Sequence, residues 1–173
     1  MTDVLTEVLS DLAAEGDRLD AVVAGLDDAG WRTPTPAEGW DVAAQVAHLA
    51  WTDEVATVAA GDGAPEGKQA WDAIVLEAIA NPEGYVDAEA LRIGREPDLL
   101  GRWSLARKTL QATLAAYPAG DKMPWFGPPM SATSMATARL METWAHSLDV
   151  HDALGIEVVD TDRIRHIAHL GVR

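Results

Sequence analysis

The chain has no cysteine. That excludes disulfides, thiolate metal sites and cysteine nucleophiles together. Any metal must be held by His and carboxylate, and any sulfur chemistry must use a thiol from outside the chain. Positive charge is scarce: 13 Lys and Arg stand against 28 Asp and Glu, a formal net charge of −15. Such a surface repels phosphate, which argues against nucleic acid and against an anionic membrane. No apolar run approaches the roughly 20 residues of a membrane span. The N-terminus, Met1 to Glu7, has neither the basic region nor the apolar stretch of a secretory signal, so a cytoplasmic location is expected. Strand signals are nearly missing: there is no alternating hairpin pattern and no Asn-Gly turn.

Helical periodicity dominates the 173 residues, a length that fits one domain or one and a half. Leu5, Val8, Leu9, Leu12, Leu19, Val22, Val23 and Leu26 recur at three- and four-residue spacing, which predicts a first helix through residue 27, capped by Thr2 or Asp3. Gly30 and the Thr33-Pro34-Thr35-Pro36 stretch should end it. A second helix is expected over Asp41–Ala60, and a third over Asp98–Tyr117 with Leu100, Trp103, Leu110, Leu114 and Tyr117 inward. Between them lies a Gly- and Pro-broken crossover with short helices near 68–79 and 87–93. A fourth helix should run from a Ser131 cap to Leu154, closed by Gly155. Four long helices and one long crossover predict an all-α four-helix bundle over 1–155. Residues 156–173 read as a helical extension. Its last residues, Arg165 to Arg173, look like mid-sequence, as if a C-terminal domain were to follow.

The fourth helix carries a polar stripe. At about 100° per residue, Glu142, His146, Arg139 and Asp149 fall within one narrow arc. Glu142 and His146, at i and i+4, can reach one cation. His48 offers a third ligand from within the apolar run Val46-Ala47-His48-Leu49-Ala50-Trp51. Each residue also has a plainer reading: His48 as a hydrogen-bonded core residue, the Glu–His pair as a surface contact. His151 lies about 140° from His146 and cannot join it; it should face the helix C-terminal dipole. His166 and His169 read as packing or surface residues. A di-iron bundle needs two Glu-x-x-His motifs, and no His here has a Glu three residues before it. Opposite the stripe, Leu140, Met141, Trp144 and Leu148 form a second apolar face. That predicts a covering partner, either a second subunit or a further domain.

Two stretches resemble a known family. Trp40-Asp41-Val42-Ala43-Ala44-Gln45-Val46-Ala47-His48-Leu49 resembles a helix of the DinB-like superfamily, and more closely the N-terminal domain of the mycothiol-dependent maleylpyruvate isomerase family. Glu142-Thr143-Trp144-Ala145-His146-Ser147-Leu148-Asp149, followed by Ala153-Leu154-Gly155, resembles that family's second metal-binding helix. Thr35-Pro36-Ala37-Glu38-Gly39-Trp40 fits the loop of an actinobacterial branch of metal-binding members. The resemblance spans about residues 5–155. It implies a divalent ion, usually zinc, on His48, Glu142 and His146, with mycothiol as cosubstrate.

The function expected from this resemblance is a thiol-dependent metalloenzyme, an isomerase or S-transferase acting on a small electrophile. Zinc with an open position lowers the pKa of a bound thiol. Arg139 would hold a substrate carboxylate or form a salt bridge within the bundle. Asp149 would accept a hydrogen bond from a ligand His or stand as a surface acid. Two other readings share the ligands: a non-enzymatic metal-binding or stress-related bundle, and a facial-triad iron site. The second usually sits on β-barrels.

Overall fold

The computed structural model describes residues 3–168. Its long helices are α1 (Val4–Val23), α3 (Val42–Ala60), α6 (Leu99–Ala115) and α7 (Ala132–Leu154). Short α2 (Asp28–Trp31) lies in the first connection, and α4 (Pro65–Ala80) and α5 (Tyr85–Ile93) fill the crossover from α3 to α6. A 3-10 turn at Asp162–Ile164 leads into α8 (Arg165–Ala168). The described residues contain no strand, only two isolated bridges, Pro34 with Asp41 and Met123 with Met130. The architecture is an all-α four-helix bundle with a long crossover between α3 and α6.

α3 is the central element. It packs against α6, α7, α5 and α4, and fifteen of its nineteen residues are buried. A helix apolar nearly all round has to be enclosed nearly all round. One core cluster gathers Leu19, Val46, Leu49, Trp51, Ile93 and Trp103. A second, toward the other end, gathers Val8, Ala56, Leu110, Leu114, Met123 and Met135. Gly67 lets α4 begin close against the end of α3. A Cβ there would stand 1.9 Å from the Gly61 carbonyl oxygen.

Local chemistry sets the helix ends, and it corrects the first of them. α1 stops at Val23 rather than residue 27. The Asp27 carboxylate accepts from Gly30 N–H at 2.8 Å and starts a separate single turn, so Gly30 lies inside a short helix instead of ending a long one. Asp3 precedes α1 without a side-chain cap bond, and Thr2 lies outside the described residues. The other boundaries follow the expected signals. Asp41 accepts from Ala44 N–H at 2.8 Å and caps α3. Asp98 caps α6 and Ser131 caps α7. Gly155 takes the left-handed conformation (φ 65°) that closes α7.

α7 turns its core face differently from the expected two-sided pattern. The buried arc runs through Ala136, Arg139, Thr143, Ser147 and Val150, so its centre is partly polar. The metal stripe flanks that arc on one side and Leu140, also buried, flanks it on the other. Met141, Trp144 and Leu148 are half-buried. The segment after α7 folds back onto α1. Arg163 Nε donates to Glu15 at 2.8 Å, and Arg18 Nη1 donates to the Val159 carbonyl at 2.9 Å. No described helix is long and apolar enough to cross a membrane.

Candidate metal centre

α3 and α7 run antiparallel and meet through two polar stripes. On α3, Gln45, His48 and Thr52 recur at three- and four-residue spacing, with Asp53 beside them, and all four are buried. On α7 the stripe is Arg139, Glu142, His146 and Asp149. The pairing steps along the interface: Asp53 and Thr52 with Arg139, His48 with Glu142, and Gln45 with both His146 and Asp149.

The middle of this ladder brings His48, Glu142 and His146 together. One ligand atom from each lies within 4.8 Å of the others. Glu142 Oε2 is 3.2 Å from His48 Nε2 and 3.3 Å from His146 Nε2. The ring centroids of the two histidines are 4.5 Å apart. The Glu142 carboxyl is held well below its ordinary range, chiefly by its contacts with His146 and His48. Burial pushes the His48 imidazole below its usual 6.5 and outweighs the neighbouring carboxylate. Both groups are thereby kept in the deprotonated form that a metal ligand needs. The donor set suits a divalent cation, and three protein donors leave a fourth tetrahedral position for an exogenous ligand.

Arg139 is 3% exposed. Its Nε donates to Asp53 at 2.9 Å and its Nη2 to the Thr52 hydroxyl. Both contacts lie within the bundle, one turn from Glu142 and His48. Burial raises the Asp53 carboxyl and Arg139 counters that rise, the balance expected of an ion pair taken out of water. Asp149 does not reach a ligand histidine directly. Its Oδ2 accepts from Gln45 Nε2 at 3.0 Å, and Gln45 Oε1 meets His146 Nδ1.

Trp40 walls the site. Its ring lies nearly parallel to His146 (13° between planes, centroids 5.9 Å apart) and tilted against His48 at 5.4 Å. Its Nε1–H donates to Asp87 at 3.1 Å, tying α5 of the crossover to the centre. Gln45, Thr52 and Asp53 were not singled out from sequence. Their signal is a polar residue every third or fourth position in an otherwise apolar helix. His151 takes no part. It is 2% exposed and its Nδ1 lies 2.7 Å from the Ser147 carbonyl oxygen, one turn back rather than at the helix end. His166 sits beside Asp11, 3.4 Å away, and His169 lies outside the described residues.

Comparison with known proteins places this geometry. Two curated relatives from strains of Mycobacterium tuberculosis, "Uncharacterized protein MT0041" and "Uncharacterized protein Rv0036c", are each 52% identical over 167 residues, covering 95% of this chain and 63% of the relative. The chain thus spans less than two thirds of the length of these relatives. A crystal structure of a histidine-to-alanine mutant of the mycothiol-dependent maleylpyruvate isomerase superposes with a TM-score of 0.67 at 15% identity, over 98% of this chain and 70% of that one. A second crystal structure of the mycothiol-dependent maleylpyruvate isomerase gives 0.59 at 15% identity, over 87% and 63%. At that identity the structural likeness speaks for the fold alone. The sequence model described as "Mycothiol maleylpyruvate isomerase N-terminal domain" matches residues 12–151, from α1 to the last turn of α7 and so across both polar stripes. The chain belongs to the mycothiol maleylpyruvate isomerase N-terminal domain family.

Proposed function

We propose that the chain binds one divalent ion, zinc by the character of its donors, on His48, Glu142 and His146, and that it belongs to a thiol-dependent metalloenzyme. Its reaction class is isomerisation or S-transfer on a small electrophile, with mycothiol as the cosubstrate. The observation that carries this reading is the convergence of the three side chains from two helices. Two imidazoles and one carboxylate are the donor set of a catalytic site with an open position, whereas a structural zinc site closes all four. The absence of cysteine fits as well, because the reactive sulfur would come with the cosubstrate. When bound, the ion supplies a Lewis acid that favours the thiolate form of a coordinated thiol at neutral pH.

The protein's own residues support this in three ways. Glu142 and His48 stand ready in their deprotonated forms. Trp40 shields one side of the histidine pair from water. The Arg139–Asp53 pair fixes the register of α7 against α3 one turn from the ligands. A shift of register there would separate Glu142 from His48.

Cobalt substitution tests the reading. The cobalt(II)-loaded chain should develop a thiolate-to-cobalt charge-transfer band when mycothiol is added. Maleylpyruvate should then be consumed only in the presence of that thiol. A spectrum unchanged by mycothiol, with cobalt bound in stoichiometric amount, would overturn the thiol-dependent reading.

A further inference from the structure

Gln45 is fully buried on α3, one turn before His48. Its amide is surrounded by groups whose hydrogen-bonding roles are fixed. Nε2 lies 3.0 Å from Asp149 Oδ2 and 2.9 Å from Thr35 Oγ1. A carboxylate only accepts. The Thr35 hydroxyl spends its single hydrogen on the Trp40 carbonyl at 3.1 Å, so toward Gln45 it also accepts. Both amide hydrogens are therefore committed, and the amide can be oriented only one way. The carbonyl Oε1 then faces His146 Nδ1. An oxygen with no hydrogen of its own requires a donor there.

We propose that Gln45 is the positioning residue that fixes His146 as its Nδ1–H tautomer, with Asp149 and Thr35 acting through it, so that Nε2 is presented to a cation as a lone pair. Glu142 Oε2, also an acceptor, lies 3.3 Å from the other ring nitrogen. The Gln45 contact therefore fixes a hydrogen on Nδ1, and a cation between Nε2 and Glu142 would take the place of a second one; that use rests on the metal reading above. The arrangement is one-sided. Among the described residues His48 Nδ1 is buried without a hydrogen-bond partner, so none of them forms such a relay to the other histidine. The Gln45 relay also joins the loop before α3 to the site. Thr35 N–H and Oγ–H both close onto the Trp40 carbonyl, and the Trp40 ring covers His146. One amide thus holds the ligand from behind while the loop it anchors holds the ring in front.

Two measurements test this. Nitrogen-15 NMR should show His146 carrying a hydrogen on Nδ1 in both the metal-free and the zinc-loaded chain. Zinc affinity, measured by competition with a chelator, should fall about 10–100-fold in Gln45→Leu, the usual cost of losing a hydrogen-bond partner behind a ligand histidine. It should stay near the wild-type value in the double variant Gln45→Glu/Asp149→Asn. There a carboxylate at 45 accepts from His146 and from the new amide at 149. A His146 Nδ1 without its hydrogen in the wild-type chain would overturn the proposal, as would undiminished zinc affinity in a folded Gln45→Leu chain. The NMR result needs no variant, so it decides even if Gln45→Leu fails to fold. A wild-type chain that shows the Nδ1–H tautomer yet binds no zinc would contradict the metal reading and leave the relay standing.

Discussion

His48 sets the pH response of the metal-free chain near neutrality. Its folded value lies below the usual 6.5 because burial disfavours the imidazolium. Between these two values the unfolded chain holds more protons than the folded one, so stability rises with pH. Glu142 acts in the same direction further down. Its stabilising contribution is present above the usual 4.5 and is lost as the pH falls through its depressed folded value. Asp53 opposes it. Its carboxyl is raised above 3.8, so it withdraws stability as the pH climbs from there to its folded value. Urea unfolding of the chelator-treated chain should show a midpoint that rises as the pH approaches 6.5 from below. In His48→Ala that part of the rise should disappear. An identical slope in both chains would contradict the assignment. At this scale the three candidate residues were legible: Glu and His at i and i+4 and a lone His in an apolar helix are visible as patterns, and the family resemblance joined them into one set. The partners were less so. Spacing leaves Asp149 either as a partner of His146 or as a surface acid, since nothing in it shows that Gln45 stands between them.

At the scale of the element, α3 matters most, because it carries Gln45 and His48 in its first two turns. Asp41 holds that end through its bond to Ala44 N–H and is also 3.2 Å from Arg32. Asp41→Ala should destabilise the chain by about 1 kcal/mol, the usual cost of a lost N-cap. It should also weaken zinc binding, because fraying of the first turn releases the relay behind His146. Thermal unfolding and a zinc titration of the same variant check both; a lower melting temperature with unchanged affinity would show that the first turn does not support the site. Helix ends were legible where a single residue decides them, as Ser131 and Gly155 do for α7. The end of α1 was not, because Leu26 continues the apolar period after the helix has stopped. Leu26 still packs on the core, but from a turn. The core face of α7 was obscured for a related reason: Thr143 and Ser147 occupy its centre, and their hydroxyls read as surface.

Across the whole molecule, the bundle serves to bring two polar stripes into register inside an apolar frame. Four long helices and the crossover were evident from periodicity and breakers. The choice of which helix lies opposite which is tertiary information, and it is what turns three scattered residues into one centre. The crossover does more than connect, since α5 reaches Trp40 through Asp87. The central claim is that His48, Glu142 and His146 together hold one divalent ion. Elemental analysis after zinc loading and extensive dialysis tests it most directly. The account predicts one zinc per chain in the wild type and in His151→Ala, and none in His48→Ala, Glu142→Ala or His146→Ala. Stoichiometric zinc retained in all three ligand variants, or no zinc held by the wild-type chain, would contradict it.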